Sequence, residues 1–334
     1  MFLAPPRRKD VFVRLPTSPL LSRRLLAAVA LPVVVVFAVT GCTASASPST
    51  PAGAATASTS PDTGTHLVEH ARGETEVPND VQRVVVLEPV QLDTTVALGV
   101  IPVGAAVLNE AAGVPAYLGE DAAGITTVGT VPEPSIEKIA ALKPDLILGT
   151  ESRHSALYDQ LSSIAPTVFM ATQTDPWTDN VALVARALGD EAGADELLAA
   201  YDDRCAEIAQ TYDTAGLTAQ FVRPRDGILT LYGPTSFAGS TLECAGFTIP
   251  DRDWEESISV DISPERVLEA QADLVLVSAT DVTDETLVPE SIRSNAASFS
   301  GLNVVDQSFW ITGVGPLGGM TVLDDIDRIL ADSK

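Results

Sequence analysis

Histidine is scarce in this chain: the 334 residues hold three, His66, His70 and His154. Two of them fall in or beside a polar segment near the N-terminus, so no cluster of imidazoles can be assembled to hold zinc or manganese. Nor is there a G-x-S-x-G, an H-E-x-x-H or a phosphate-binding P-loop. Hydrolase, protease and ATPase chemistry therefore has no anchor in the sequence, and no catalytic residue is assigned. Bases are few as well, 20 Lys and Arg against 45 Asp and Glu, a net charge of −25. A surface of that sign repels nucleic acid and anionic lipid headgroups.

What is present is a globular balance, 46% hydrophobic with 19% charged residues, in a length that suits two domains. The first 41 residues stand apart. Six bases, Arg7, Arg8, Lys9, Arg14, Arg23 and Arg24, precede an apolar run from Leu25 to Val39 that Pro32 interrupts. At about fifteen residues the run is too short for a membrane span and reads as an export signal. It ends in Val39-Thr40-Gly41-Cys42, which resembles the lipobox at which bacterial lipoproteins are cleaved and acylated on the cysteine. Cys42 is thus the expected lipidation site, and a lipid anchor on the outer face of the cell membrane the expected location. Two export routes fit, the general one and, from Ser22-Arg23-Arg24-Leu25-Leu26, the twin-arginine one. Without its leader the chain keeps 14 bases against 44 acids.

Residues 42–76 are rich in Ser, Thr, Ala, Pro and Gly and read as a flexible tether. From Val77 short aliphatic runs alternate with helical spacing: 83–87, 101–105, 145–149 and 167–170 as strands, 90–98, 135–142 and 155–163 as helices. Such alternation predicts an α/β lobe with a mostly parallel sheet over 77–175. Residues 176–215 follow as connecting helices. The second of these, from Glu191 to about Asp213, has Leu198, Tyr201, Cys205, Ile208 and Tyr212 at three-and-four spacing. Cys205 and Cys244 fit two readings, a bridge in an exported protein or buried thiols. A second α/β lobe is predicted over 216–334, with its first strand at 227–232.

One unit occurs twice. PSIEKIAALKPDLIL and SPERVLEAQADLVLV align with Glu137 opposite Glu265 and Asp145 opposite Asp273. Each is a helix opened by a serine, Ser135 or Ser263, with an acid in its first turn, feeding a buried strand. A pseudo-twofold pair of lobes follows. Gly313-Val-Gly315-Pro-Leu-Gly318 matches G-x-G-x-x-G after a strand-like Phe309-Trp310-Ile311. A dinucleotide site would need a further strand with an acid about twenty residues on, and this sequence runs only to Lys334. A glycine-rich approach or tight turn is the reading adopted.

The runs VPNDVQRVVVLEPVQLDTTVALGVIPVGAA, VGTVPEPSIEKIAALKPDLILGTESR, ISPERVLEAQADLVLVSA and WITGVGPLGGMTVLDDIDRIL together resemble the iron–siderophore and cobalamin class of solute-binding proteins that serve ABC importers. The resemblance implies two Rossmann-like α/β lobes joined by a single long helix, a ligand cleft between them, no resident cofactor or protein-bound metal, and no enzymatic activity. It places permease docking on Glu137 and Glu265, and a ferric chelate against Arg153. Glu88, after the first strand, Tyr232 and Phe237, taken to follow the first strand of the second lobe, and Trp310 complete the expected ligand contacts. The second lobe shows Ser236 and Phe237 where a base would serve a polyanionic catecholate, so a neutral or cationic ferric hydroxamate is favoured on Coulomb grounds. Haem, cobalamin and, in another class, an exported siderophore-processing enzyme are the alternatives. The expected partners are the siderophore and the permease subunits of the importer, with the protein a monomer.

Overall fold

The computed structural model describes residues 64–254 and 257–333. The leader, Cys42 and the first part of the tether lie outside them. The remainder of the expected tether is ordered: β1 (Thr65–His70) and β2 (Gly73–Pro78) form an antiparallel hairpin. It buries only two valines, Val68 and Val77, while Leu67 is exposed, too little to stand out in the sequence. Both histidines of this segment are structural. His66 bonds Asn79 and the Arg186 carbonyl, and His70 Nδ1 accepts the Phe169 N–H at the sheet edge.

The first lobe continues with β3 (Val84–Val86), α1 (Pro89–Ala97), β4 (Gly104–Val107), β5 (Thr126–Thr130), α2 (Ile136–Ala141), β6 (Leu146–Thr150), α3 (Glu151–His154), α4 (Tyr158–Ser162) and β7 (Thr167–Met170). The five strands β3 to β7 are all parallel, in the order β5-β4-β3-β6-β7. Both faces are covered, so β3, β4 and β6 are wholly buried. The strand expected at 101–105 begins three residues later, and β5, threonine-rich and without an aliphatic run, gave no signal. The helix expected over 155–163 is a broken pair of short turns.

Two helices lead out of this lobe, α5 (Trp177–Leu188) and α6 (Glu191–Tyr212). The second is the 22-residue strut. Its N-terminus is capped by the Asp190 carboxylate, which accepts the Gly193 N–H, and it ends on Asp213 in the left-handed region.

The second lobe comprises β8 (Ala219–Arg225), β9 (Ile228–Tyr232), α7 (Phe237–Cys244), β10 (Ser259–Ile262), a 3₁₀ segment over Pro264–Ala270, β11 (Leu274–Ala279), α8 (Glu290–Arg293), β12 (Leu302–Asp306), α9 (Gln307–Trp310) and α10 (Pro316–Asp332). Its sheet has the order β10-β9-β8-β11-β12, the same as in the first lobe, but β9 and β10 run antiparallel to their neighbours. Strand β8 has no counterpart in the sequence reading because Pro224 interrupts its pattern. The proline is tolerated because pairing with β11 stops at Val222. Tyr232 therefore ends, and Phe237 follows, the second strand of this lobe, not the first. Residues 309–310, expected as strand, end a helix, and the last helix starts at Pro316.

The repeated unit has the same job in each lobe. Asp145 accepts the backbone N–H groups of Gln82 and Arg83, each at 2.9 Å, where the chain enters β3. Asp273 accepts the N–H and the hydroxyl of Thr218, each at 2.8 Å, where it enters β8. The helix that precedes differs. Ser135 caps α2 through the Lys138 N–H, whereas Ser263 makes no cap and the segment after it is 3₁₀, kinked at Arg266. Cys205 of α6 and Cys244 of α7 are joined in a disulfide, which ties the strut to the second lobe.

Candidate functional site between the lobes

In an open α/β sheet the ends of neighbouring strands whose connections depart in opposite directions leave a crevice. In the first lobe that point lies between β3 and β6. Gln91 fills its floor: its side-chain carbonyl accepts the Leu87 N–H at 3.2 Å and its amide donates to the Gly149 carbonyl at 2.7 Å. Above it stand Glu88, the residue that opens α1, and Arg153 on α3. Arg153 Nε lies 3.0 Å from Glu88 Oε1; the arginine side chain is 36% exposed and the glutamate 3%. Burial pushes the Glu88 carboxyl up to about 7, outweighing the opposite pull of Arg153 and of the Thr150 hydroxyl. The neighbouring His154 is turned away, with Nδ1 accepting from Thr150 N–H and Nε2 donating to the Val131 carbonyl.

The second lobe brings a residue that the sequence reading missed. Pairing aligns Val84 with Leu146 in one sheet and Ala219 with Leu274 in the other, so counting along β3 and β8 sets Glu88 and Arg223 at equivalent positions. The repeat alone could not show this. The spacing that matches Glu137 to Glu265 puts Gly216 opposite Glu88, because the second lobe is seven residues shorter between these points. Among the described residues Arg223 forms no ion pair, and its Nε is buried without a hydrogen-bond partner.

One cavity of about 210 Å³ is lined by all five expected contacts, Glu88, Arg153, Tyr232, Phe237 and Trp310, together with Arg223, Asp175 and Trp177. Past Leu108 and Arg223 it meets a second hollow of about 480 Å³, bordered by Asn109, Tyr117, Gln307 and Ser308. The aromatic residues differ in what they offer. Phe237 and Tyr232 are partly exposed, Phe237 set edge-on to Trp177 with centroids 5.6 Å apart. Trp310 is 1% exposed. Its ring is stacked on Phe221 at 5.2 Å and its indole N–H is given to Asp325, so it forms wall and core and presents no open face for stacking. Trp254 is absent from this lining and carries Arg252 over its ring.

The glycine-rich turn has an occupant from within the chain. Asp93 of α1 accepts the Leu317 N–H at 2.9 Å and the Gly318 N–H at 2.7 Å, at the start of α10, and the Tyr117 hydroxyl at 2.9 Å. Gly315, at φ 144, passes so close that any side chain would collide with this carboxylate. A helix N-terminus of the kind that serves phosphates is here filled by a buried carboxylate that holds the two lobes together. Its pKa is raised to about 7, burial exceeding the effect of its three donors.

Glu137 and Glu265 are both exposed, one in the first turn of α2 and the other in the 3₁₀ segment. The Glu265 carboxyl is lowered by hydrogen bonds from its own N–H and the Ser263 hydroxyl. The described residues contain no group of three or more His, Cys, Asp or Glu placed to hold a metal ion.

The family model described as periplasmic binding protein matches residues 84–301. The "Probable siderophore-binding lipoprotein YfiY" of Bacillus subtilis is 33% identical over 293 residues, covering 81% of this chain and 89% of that protein. The Fe(3+)-citrate-binding protein YfmC of the same organism is 30% identical, over 67% of this chain and 71% of its own length. Among solved structures, Staphylococcus aureus SirA complexed with staphyloferrin B superposes with a TM-score of 0.65 at 28% identity, covering 80% of this chain and 99% of that one. The match to the family model, the two lobes and the long helix between them agree: this chain belongs to the periplasmic binding protein family.

Proposed function

We propose that this chain is the exported, lipid-anchored receptor of an ABC importer, which captures a ferric siderophore between its lobes and presents it to the permease. The observation that carries the reading is the cavity itself, which places one guanidinium from each lobe, Arg153 and Arg223, beside partly exposed aromatic rings. With its neighbouring hollow it reaches the size usual for small-molecule sites, about 300–1,000 Å³. The matching family model is that of a periplasmic binding protein and the relative YfiY is named as siderophore-binding, so the reading is that of a binding protein. The disulfide supports an oxidising compartment outside the cytoplasm.

The preference for a neutral or cationic hydroxamate rested on a second lobe without a base. Arg223 removes that premise. Two guanidiniums facing one cavity favour a ferric complex with net negative charge, such as a ferric carboxylate, and YfmC is named for binding Fe(3+)-citrate. The hydroxamate reading keeps one argument, the acids Glu88 and Asp175 in the same lining. Titrating the purified chain with ferric citrate, ferrioxamine B, ferric enterobactin, haem and cyanocobalamin ranks these classes. Trp177 and Trp310 border the cavity, so binding is read as tryptophan quenching together with a rise in melting temperature. Ferric citrate is expected to respond and ferrioxamine B to respond less; silence from all five overturns the proposal.

A further inference from the structure

An ion pair at the centre of an anion site presents a problem for the anion: the cation it needs is already taken. Arg153 has Glu88 as its partner at 3.0 Å. That carboxylate is held by charge more than by directed bonding, since Oε1 is buried and has no hydrogen-bond partner of good geometry. Its surroundings contain little to replace Arg153. Thr150 contributes a hydroxyl from the end of β6, Asp175 adds a second acid, and Tyr232 lines the cavity from β9. Of the remaining titratable neighbours, His154 on α3 is committed to backbone groups and Asp93 on α1 to the start of α10. Arg223, from the opposite lobe, is the other cation of the lining, and an anionic guest entering between the lobes would engage it as well.

Resting on the reading of the cavity as an anion-binding site, we propose that Glu88 is its displaceable counter-ion. An anionic ferric complex takes over Arg153, and Glu88, left buried without its cation, binds one proton from solvent. No covalent bond changes; the proton moves from water or buffer to the carboxylate. The group is already poised for this, since its pKa stands at about 7 while Arg153 still lowers it, and losing that attraction beside a bound anion moves it further up. Glu88 then acts as a specificity residue. Affinity for an anionic chelate declines as pH rises above 7, approaching tenfold per pH unit, whereas a neutral complex that leaves the pair intact binds with no such slope.

The test is calorimetric titration of the full chain with ferric citrate at pH 7.5 in HEPES and in Tris, whose ionisation enthalpies differ, which counts protons taken up. Repeating it on Glu88→Gln subtracts any proton exchanged by the citrate complex. The expected result is an uptake approaching one proton per complex in the parent, lost in Glu88→Gln, which should also bind more tightly at pH 8.5 and lose the slope between pH 6.5 and 8.5. Binding with equal heats in both buffers overturns the counter-ion proposal alone, as does uptake that persists in the variant. Absence of ferric citrate binding at every pH overturns the anion-site reading and this proposal with it. The parent's own pH slope, measured by tryptophan quenching, decides the matter should the variant not fold: a flat profile from pH 6.5 to 8.5 is a refutation.

Discussion

Asp93 shows how much one side chain can carry. Its two oxygens satisfy two backbone donors, one of them fully buried, and a phenol that belong to distant parts of the chain. Asp93→Ala leaves the Leu317 and Gly318 N–H groups without acceptors, at about 1–3 kcal/mol each. At roughly 2–4 °C per kcal/mol for a protein approaching this size, the melting temperature should fall by about 10 °C. Thermal unfolding followed by circular dichroism measures this, and a fall under about 2 °C would mean the contact is not made in solution. Gly315→Ala should be similarly damaging, because the new methyl group meets the same carboxylate in a backbone conformation that L-residues avoid. None of this could be read from residues 93 and 317, which are 224 positions apart. The glycine pattern was visible as a close approach, but the group approached was not.

Among the elements, α6 is where sequence and structure agree most closely, since a helix of this length writes its own period of apolar residues. It is fastened on both sides. Arg204 reaches Asp324 at 3.0 Å and Asp327 at 2.9 Å on α10, and Cys205 binds Cys244 on α7. Cross-linking across 39 residues should contribute about 2–4 kcal/mol, chiefly by restricting the unfolded chain. Cys205→Ser with Cys244→Ser is therefore expected to lower the midpoint of urea unfolding, with little change in tryptophan emission before the transition. Identical midpoints would show that the bridge contributes nothing. Strands were less legible than helices. β5 has no aliphatic run, β8 contains a proline and the β1–β2 hairpin is mostly polar, so their pairing depends on neighbours supplied by the fold.

For the whole molecule, acidity is the dominant property. Glu88 and Asp93 hold pKa values of about 7 in the folded state against ordinary values of 4.5 and 3.8. Raised folded values mean that the native state binds these protons more tightly than the unfolded chain does. Their stabilising effect is full below about pH 4 and is lost as pH rises through 7. Self-repulsion of a chain with net charge −25 acts in the same direction above neutrality. The melting temperature is thus expected to be higher at pH 5.5 than at pH 8, and Glu88→Gln should reduce the difference; a profile rising towards pH 8 contradicts this. The docking on a permease proposed for Glu137 and Glu265 also belongs to this scale. Glu137 and Glu265 are exposed at corresponding points of two pseudo-equivalent lobes, an arrangement suited to a twofold permease. Replacing both by alanine should abolish siderophore uptake by cells while leaving the affinity of the purified protein unaltered, and normal uptake would remove the assignment.

Local order was determined by the sequence itself: the alternation of most strands and helices, the strut, the α2–β6 unit capped by Ser135 and the outward acids all follow from periodicity and capping within a few residues. Partnership was decided by the tertiary structure. Glu88 with Arg153, Asp93 with the start of α10, Cys205 with Cys244 and Arg223 facing the cavity each join groups distant in the chain or set in an unrecognised strand. The physical reason is that a side chain's period is written by its nearest neighbours, whereas its charge state and its contact with a ligand depend on what burial brings beside it.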